Sequence, residues 1–248
     1  MKPDKFELVE VEASEGLLLL PCRIRRSPRA RRINLRVKNG GEIVLTLPRS
    51  CAEKEGLAFL QTNSRWLERR LAEPKPNTSL EKHFSKGGKV SADDVPRTAR
   101  ISVEAPPGRM SWSLETVGEL HLRVDPNAPV ESQLIDLLHA LAKEKLPPLV
   151  HDFAAQAGEN VNRVRIGNQK TRWGSCSGKG TVSLNWRLLL LERYLRDYVI
   201  LHELAHFRYM NHSPSFWEHL ESLYADARSV DRELNKVGKG LMVLGRSR

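Results

Sequence analysis

His202-Glu203-Leu204-Ala205-His206 sits inside a run, Arg193 to Met210, in which Leu195, Tyr198, Val199, Ile200, Leu201, Leu204, Ala205 and Phe207 leave almost no polar face. A helix that is apolar nearly all round is a buried helix, so the histidines and glutamate it carries inward need partners there. Histidines four apart share one helix face about a turn apart and can reach a single metal ion, with Glu203 beside the ion's open position. Zn²⁺ held by three protein ligands keeps a fourth site for water and lowers that water's pKa toward neutrality, which leaves Glu203 as the candidate base. A third ligand is required. His212, six residues after His206, is the nearest candidate, provided that the helix stops and the chain turns back. Asn211 tolerates the left-handed conformation that ends helices, and Ser213-Pro214 reads as an N-cap followed by proline at the first position of a new helix. On that new helix Glu218, Glu221 and His219 stay open as alternatives.

The 248 residues are 40% hydrophobic and 28% charged, a globular composition that argues against a disordered chain. The charged start and the short leucine run, Leu17 to Leu20, offer neither a signal h-region nor a membrane span, so the expectation is a cytoplasmic protein. Cys22, Cys51 and Cys176 are odd in number and form no C-x-x-C pair, which points to reduced thiols rather than a disulfide framework or a cysteine zinc site. The formal charge of +10 is concentrated in part between Pro21 and Asn39, where no Asp or Glu interrupts Arg23, Arg25, Arg26, Arg29, Arg31, Arg32 and Arg36. Such a patch suits phosphates, an acidic protein or plain solvation. Without interleaved aromatics it offers no base-stacking platform.

Residues 6–47 read as strands. Ile33, Leu35 and Val37, then Ile43, Leu45 and Leu47, alternate with polar residues around Asn39-Gly40-Gly41, the pattern of a hairpin with one apolar face and one arginine face. Ser50-Cys51-Ala52-Glu53 is a capping-box sequence opening a helix to about Leu71. Residues 73–100 turn to Pro, Lys, Ser, Gly and Asp without apolar period and read as a linker. Short strands are expected at 101–105 and 120–124, and a helix at 131–157, kinked or broken at Pro147-Pro148. Three strands then precede the histidine helix, at 163–166, 172–176 and 181–185, so that a sheet edge lies beside the metal and can align an extended peptide. The expected fold class is α+β, with an N-terminal strand-rich lobe (1–72), a variable linker with short strands (73–130) and a catalytic lobe (131–248).

The segments Asn168-Gln169-Lys170-Thr171-Arg172-Trp173-Gly174-Ser175-Cys176, Val182-Ser183-Leu184-Asn185, Asp197 to His206, and Asn211-His212-Ser213-Pro214-Ser215-Phe216-Trp217 strongly resemble the YgjP-like metallopeptidase family. The resemblance covers residues 160–225 closely and 22–72 less closely, while 73–130 depart from it. It implies a zincin-type hydrolase, related in its core to the SprT-like proteases, with His202, His206 and His212 as zinc ligands and Glu203 as base. The third histidine falls where the metzincin pattern H-E-x-x-H-x-x-G-x-x-H has its own, but Tyr209 stands in place of the glycine.

The leading expectation is therefore peptide-bond hydrolysis by metal-activated water. Lys170, Arg172, Trp173, Ser175 and Tyr209 are candidates for substrate or oxyanion contacts. Cys176 is read as an unligated thiol. Two other readings use the same residues: a nucleoside-triphosphate hydrolase with Lys170 and Arg172 beside the metal, and a protease recruited to nucleic acid by Arg23–Arg36.

Overall fold

The structure is a computed structural model that describes residues 4–14, 16–38, 41–72, 78–115 and 118–246. The chain divides into two compact units, 1–75 and 76–247. Among the described residues, no helix is long and apolar enough to cross a membrane.

The first unit is a four-stranded sheet covered on one face by two short helices. Its strands are β1 (Lys5–Ala13), β2 (Gly16–Arg26), β3 (Asn34–Val37) and β4 (Ile43–Leu47), in the order β1-β2-β4-β3. The expected hairpin is the antiparallel pair β3/β4, with Leu35 opposite Leu45 and Arg36 opposite Val44; its turn residues Asn39 and Gly40 lie outside the described residues. Val11, Cys22, Ile24, Ile43, Leu45 and Leu47 point to one side and close a core with Leu60 and Leu67.

Those last two leucines come from α1 (Glu53–Thr62) and α2 (Ser64–Ala72), where the apolar period suggests one continuous helix. The break is made by Asn63, whose side-chain Nδ2 donates to Phe59 O at 2.7 Å and satisfies a carbonyl at the end of α1. The helix starts later than the capping-box pattern implies: the Glu55 carboxylate accepts the Ala52 N–H at 2.9 Å, and Ser50 is not the cap.

The second unit contains two sheets and five helices among its described residues. Part of the stretch read as linker is ordered: α3 (Leu80–Ser85), β5 (Lys89–Val90) and the start of β6 (Arg97–Ser102) occupy it. Leu80, Phe84 and Val90 are buried in the core, and Ser91 N–H donates to Leu189 O at 2.7 Å. Their partners are remote in sequence, so no local period announces them. With β7 (Ser111–Leu114) and β8 (Glu119–Arg123), which hold the region of the expected 120–124 strand, they form a sheet in the order β5-β6-β8-β7.

Helix α4 (Val130–Ala157) runs unbroken through Pro147-Pro148, because Leu141, Leu146, Val150 and Ala154 on either side are all buried. The strands β9 (Arg163–Gly167), β10 (Gly174–Ser177) and β11 (Thr181–Asn185) form the second sheet in the order β10-β11-β9, leaving β10 at an edge. A 3₁₀ turn, Trp186–Leu190, leads into α5 (Arg193–Ala205), followed by α6 (Pro214–Leu223) and α7 (Ala227–Leu241). The protein is thus α+β, with the histidine helix set beside a sheet edge.

Candidate metal centre and cleft

Helix α5 is held by charge as well as by packing. Arg196 is fully buried; its guanidinium pairs with Asp197 at 2.8 Å and donates to Ser91 O at 2.7 Å and Asp93 O at 3.1 Å. A buried guanidinium is tolerated only when its donors are met in this way. The helix ends at Ala205, about a turn before the apolar period runs out at Met210. His206 takes the C-cap position, and its Nδ1 donates to Tyr209 O at 2.9 Å. That bond tightens the chain into a turn and leaves His206 Nε2 free of its proton. Ser213 then accepts the Phe216 N–H with Pro214 at the first helical position, as the sequence leads one to expect.

The turn folds His212 back onto α5. Its Nε2 lies 3.0 Å from His202 Nε2, and ligand-capable atoms of His202, His206 and His212 all fall within 4.8 Å of one another. Phe216, fully buried, packs under all three rings at centroid distances of 4.6 to 5.1 Å. Burial, with the neighbouring imidazoles, pushes His202 down to about 3, and burial also lowers His206. Neutral imidazoles with converging lone pairs form a donor set that suits a borderline-soft divalent cation such as Zn²⁺.

Glu203 is 7% exposed and reaches the same cleft. Burial pushes its carboxyl up to about 7, against the opposing pull of Arg172. The cleft, about 410 Å³, is walled on one side by Arg172, Trp173, Gly174, Ser175 and Cys176, and elsewhere by Met210, Leu234 and Asn235. The loop carrying the first wall is bolted down. Asn185, fully buried, donates through Nδ2 to Gln169 O at 2.8 Å and Arg172 O at 3.1 Å, and its N–H donates to Trp173 O at 2.8 Å. Arg187 donates to Asn168 Oδ1 at 2.6 Å and to Leu244 O at 2.7 Å. Gly238 on α7 leaves room for the Trp173 indole, which a Cβ there would meet at 3.0 Å.

Of the five residues expected to contact substrate, Arg172, Trp173 and Ser175 line this cleft, whereas Lys170 and Tyr209 do not. Lys170 is exposed on the preceding loop, and the Tyr209 ring packs against His219 at 5.8 Å while its carbonyl serves His206. The alternative third ligands stay apart from the histidine cluster: Glu218 is exposed, Glu221 pairs with Arg228 at 3.1 Å, and His219 faces Tyr209. Cys176 lines the cleft but is not in the cluster, and burial pushes its thiol up to about 11.

Tyr198 and Asp231 also line the cleft, Tyr198 from within the motif segment and Asp231 from outside it. Tyr198, one turn before His202, places its hydroxyl 3.2 Å from His202 Nδ1 and 3.0 Å from Asp231 Oδ1. Burial and the Asp231 carboxylate raise the phenol well above its ordinary range. The four-residue spacing to His202 was a usable signal for Tyr198. Nothing local marks Asp231.

Residues 31–237 match the family model described as YgjP-like, metallopeptidase domain. The match runs through 73–130, the region in which the motif resemblance was expected to lapse. No curated protein matches the chain. Among solved structures it is similar to the crystal structure of the metallopeptidase zymogen of Pyrococcus abyssi abylysin, with 30% identity over 37% of this chain and 94% of that one, and a TM-score of 0.33.

Proposed function

The chain belongs to the YgjP-like metallopeptidase family, and from that premise we propose that it is a zinc-dependent peptidase with His202, His206 and His212 as ligands and Glu203 as general base. The observation that carries the reading is the convergence of three imidazoles beside a buried carboxyl. Bound zinc supplies Lewis acidity, polarising the scissile carbonyl and acidifying water. Glu203 accepts a proton from the attacking water and returns it to the departing amine nitrogen, so that the carboxylate is regenerated as the C–N bond breaks. Burial raises the Glu203 carboxyl above its ordinary range in the metal-free chain, which favours its holding the proton between the two halves of that task.

The edge strand β10 supplies the alignment. One of its sides pairs with β11, and an extended peptide can hydrogen-bond along the other, beside the cleft that Trp173 and Ser175 line. Arg172 is the cationic side chain of that wall and is assigned to carbonyl or carboxylate groups of the substrate. The test loads the protein with zinc and incubates it separately with unstructured peptides and with nucleoside triphosphates. Zinc-dependent peptide cleavage, lost in Glu203→Gln at unchanged zinc content, is the expected result. Cleavage of triphosphates alone would overturn the peptidase reading.

A further inference from the structure

Resting on the zinc reading above, we infer that Tyr198, Asp231 and Asn235 form a positioning chain, which fixes the tautomer and ring orientation of His202 and sets the strength with which that histidine holds the ion. The directions of the hydrogen bonds follow from the acceptor at the end of the chain. Asp231 Oδ1, 3.0 Å from the Tyr198 hydroxyl, is a carboxylate oxygen and accepts. The phenol has one proton to give, and Asp231 takes it. Its oxygen, 3.2 Å from His202 Nδ1, is therefore left to accept, so Nδ1 carries the imidazole proton and Nε2 presents a lone pair toward His212 and the cluster. Asp231 is held in turn by Asn235, whose Nδ2 donates to Asp231 Oδ2 at 3.0 Å and to its backbone oxygen at 2.9 Å.

The chain crosses elements: Tyr198 and His202 stand a turn apart on α5, whereas Asp231 and Asn235 stand a turn apart on α7. His206 meets the same requirement through one backbone carbonyl. His202 alone among the three has a relay that ends in a carboxylate within hydrogen-bond distance of a bridging side chain, among the described residues. An anionic group at the far end of such a chain raises the basicity of the ligand nitrogen, and removal of such partners typically weakens metal binding ~10–100-fold.

The experiment measures Zn²⁺ affinity by competition with a chromophoric chelator for the wild type, Tyr198→Phe, Asp231→Ala and the double variant, together with the thermal midpoint of each metal-free protein. The expected result is about 10–100-fold weaker zinc binding in each single variant at similar midpoints. The double variant should be no weaker than Tyr198→Phe, because both act through one connection. Unchanged affinity, or losses that multiply in the double variant, would overturn the chain. A second measurement needs no variant: long-range ¹H–¹⁵N correlation in the metal-free wild type should report the Nδ1–H tautomer for His202, and the Nε2–H tautomer would overturn the inference. A wild type that binds no zinc overturns the functional reading instead, and the tautomer still decides this one.

Discussion

Gly174 and Glu203 are in contact: a methyl group at position 174 would stand 2.6 Å from both Cγ and Oε1 of Glu203. The edge strand and the motif helix can approach this closely only because one of them lacks a side chain at the crossing. The glycine's role here is space, and its substitution reads out the position of the carboxylate rather than the flexibility of the strand.

Gly174→Ala should therefore lower kcat/KM at least ~10-fold while zinc content stays stoichiometric, since a displacement of about 1 Å at a catalytic group is enough for losses of that size or more. The accompanying loss of stability should be about 1–3 kcal/mol, as for other overpacked sites. Steady-state kinetics on the zinc-loaded variant checks the first figure and urea denaturation the second. Wild-type turnover would show that the carboxylate can move without consequence.

The site divides into parts that local pattern reveals and parts that it does not. His202, Glu203, His206, His212 and the Ser213-Pro214 cap were legible, because helix periodicity and capping are decided within a turn or two of the residues concerned. Asn168 and Asn185 were visible only as motif letters. Their work is to fasten the wall loop to Trp186, Arg187 and the backbone of Gln169 and Arg172. Phe216 under the histidines was likewise only a motif letter and Asp231 behind Tyr198 had no local signal, since each acquires its role only when another helix packs beside it. The same cause hid α3 and β5, whose burial depends on partners about a hundred residues away, such as Leu189. Apolar period also misleads in the other direction. It runs past Asn63 and past Ala205, where a single side-chain hydrogen bond to a backbone carbonyl accompanies the end of the helix.

His212→Ala should bind zinc far more weakly than the wild type, whereas Glu218→Ala and Glu221→Ala should retain stoichiometric metal. The histidine lies 3.0 Å from His202, and the two glutamates are outside the cluster. Metal analysis after dialysis against a weak chelator checks this. Zinc retained by His212→Ala and lost from either glutamate variant would reassign the third ligand.

Arg196→Met should destabilise the protein by about 3 kcal/mol, because it leaves Asp197 and the carbonyls of Ser91 and Asp93 without their buried partner. Arg193, 3.4 Å from the other Asp197 oxygen, limits the cost by keeping one cation near that carboxylate. The denaturation midpoint in urea gives the answer. A loss below ~0.5 kcal/mol, the usual scale of a surface substitution, would mean that α5 is held by apolar packing alone.

The arginine-rich segment makes a separate prediction, argued from how its charges are used. Arg23 is committed to Glu42 at 2.8 Å, and Arg26 donates to the carbonyls of Pro48, Arg49 and Cys51. Arg29, Arg31 and Arg32 are exposed on the loop between β2 and β3 and have no acidic partner among the described residues. Among the described residues these three guanidinium groups are the segment's least engaged, since Arg25 donates to Thr46 and Arg36 to Asn34, and they are the ones best placed to meet phosphates. Nucleic-acid binding through them should be independent of sequence, since phosphate contacts carry no base information. It should also weaken steeply with salt, and each contacting arginine replaced by alanine should reduce the slope of log K against log salt by about 0.9 on duplex DNA. Fluorescence anisotropy with two unrelated duplexes, at several salt concentrations, tests the wild type against the triple alanine variant. A triple variant that binds with the wild-type slope, or a wild type that ignores both duplexes at low salt, would remove this segment from any role in recruiting the protein to nucleic acid.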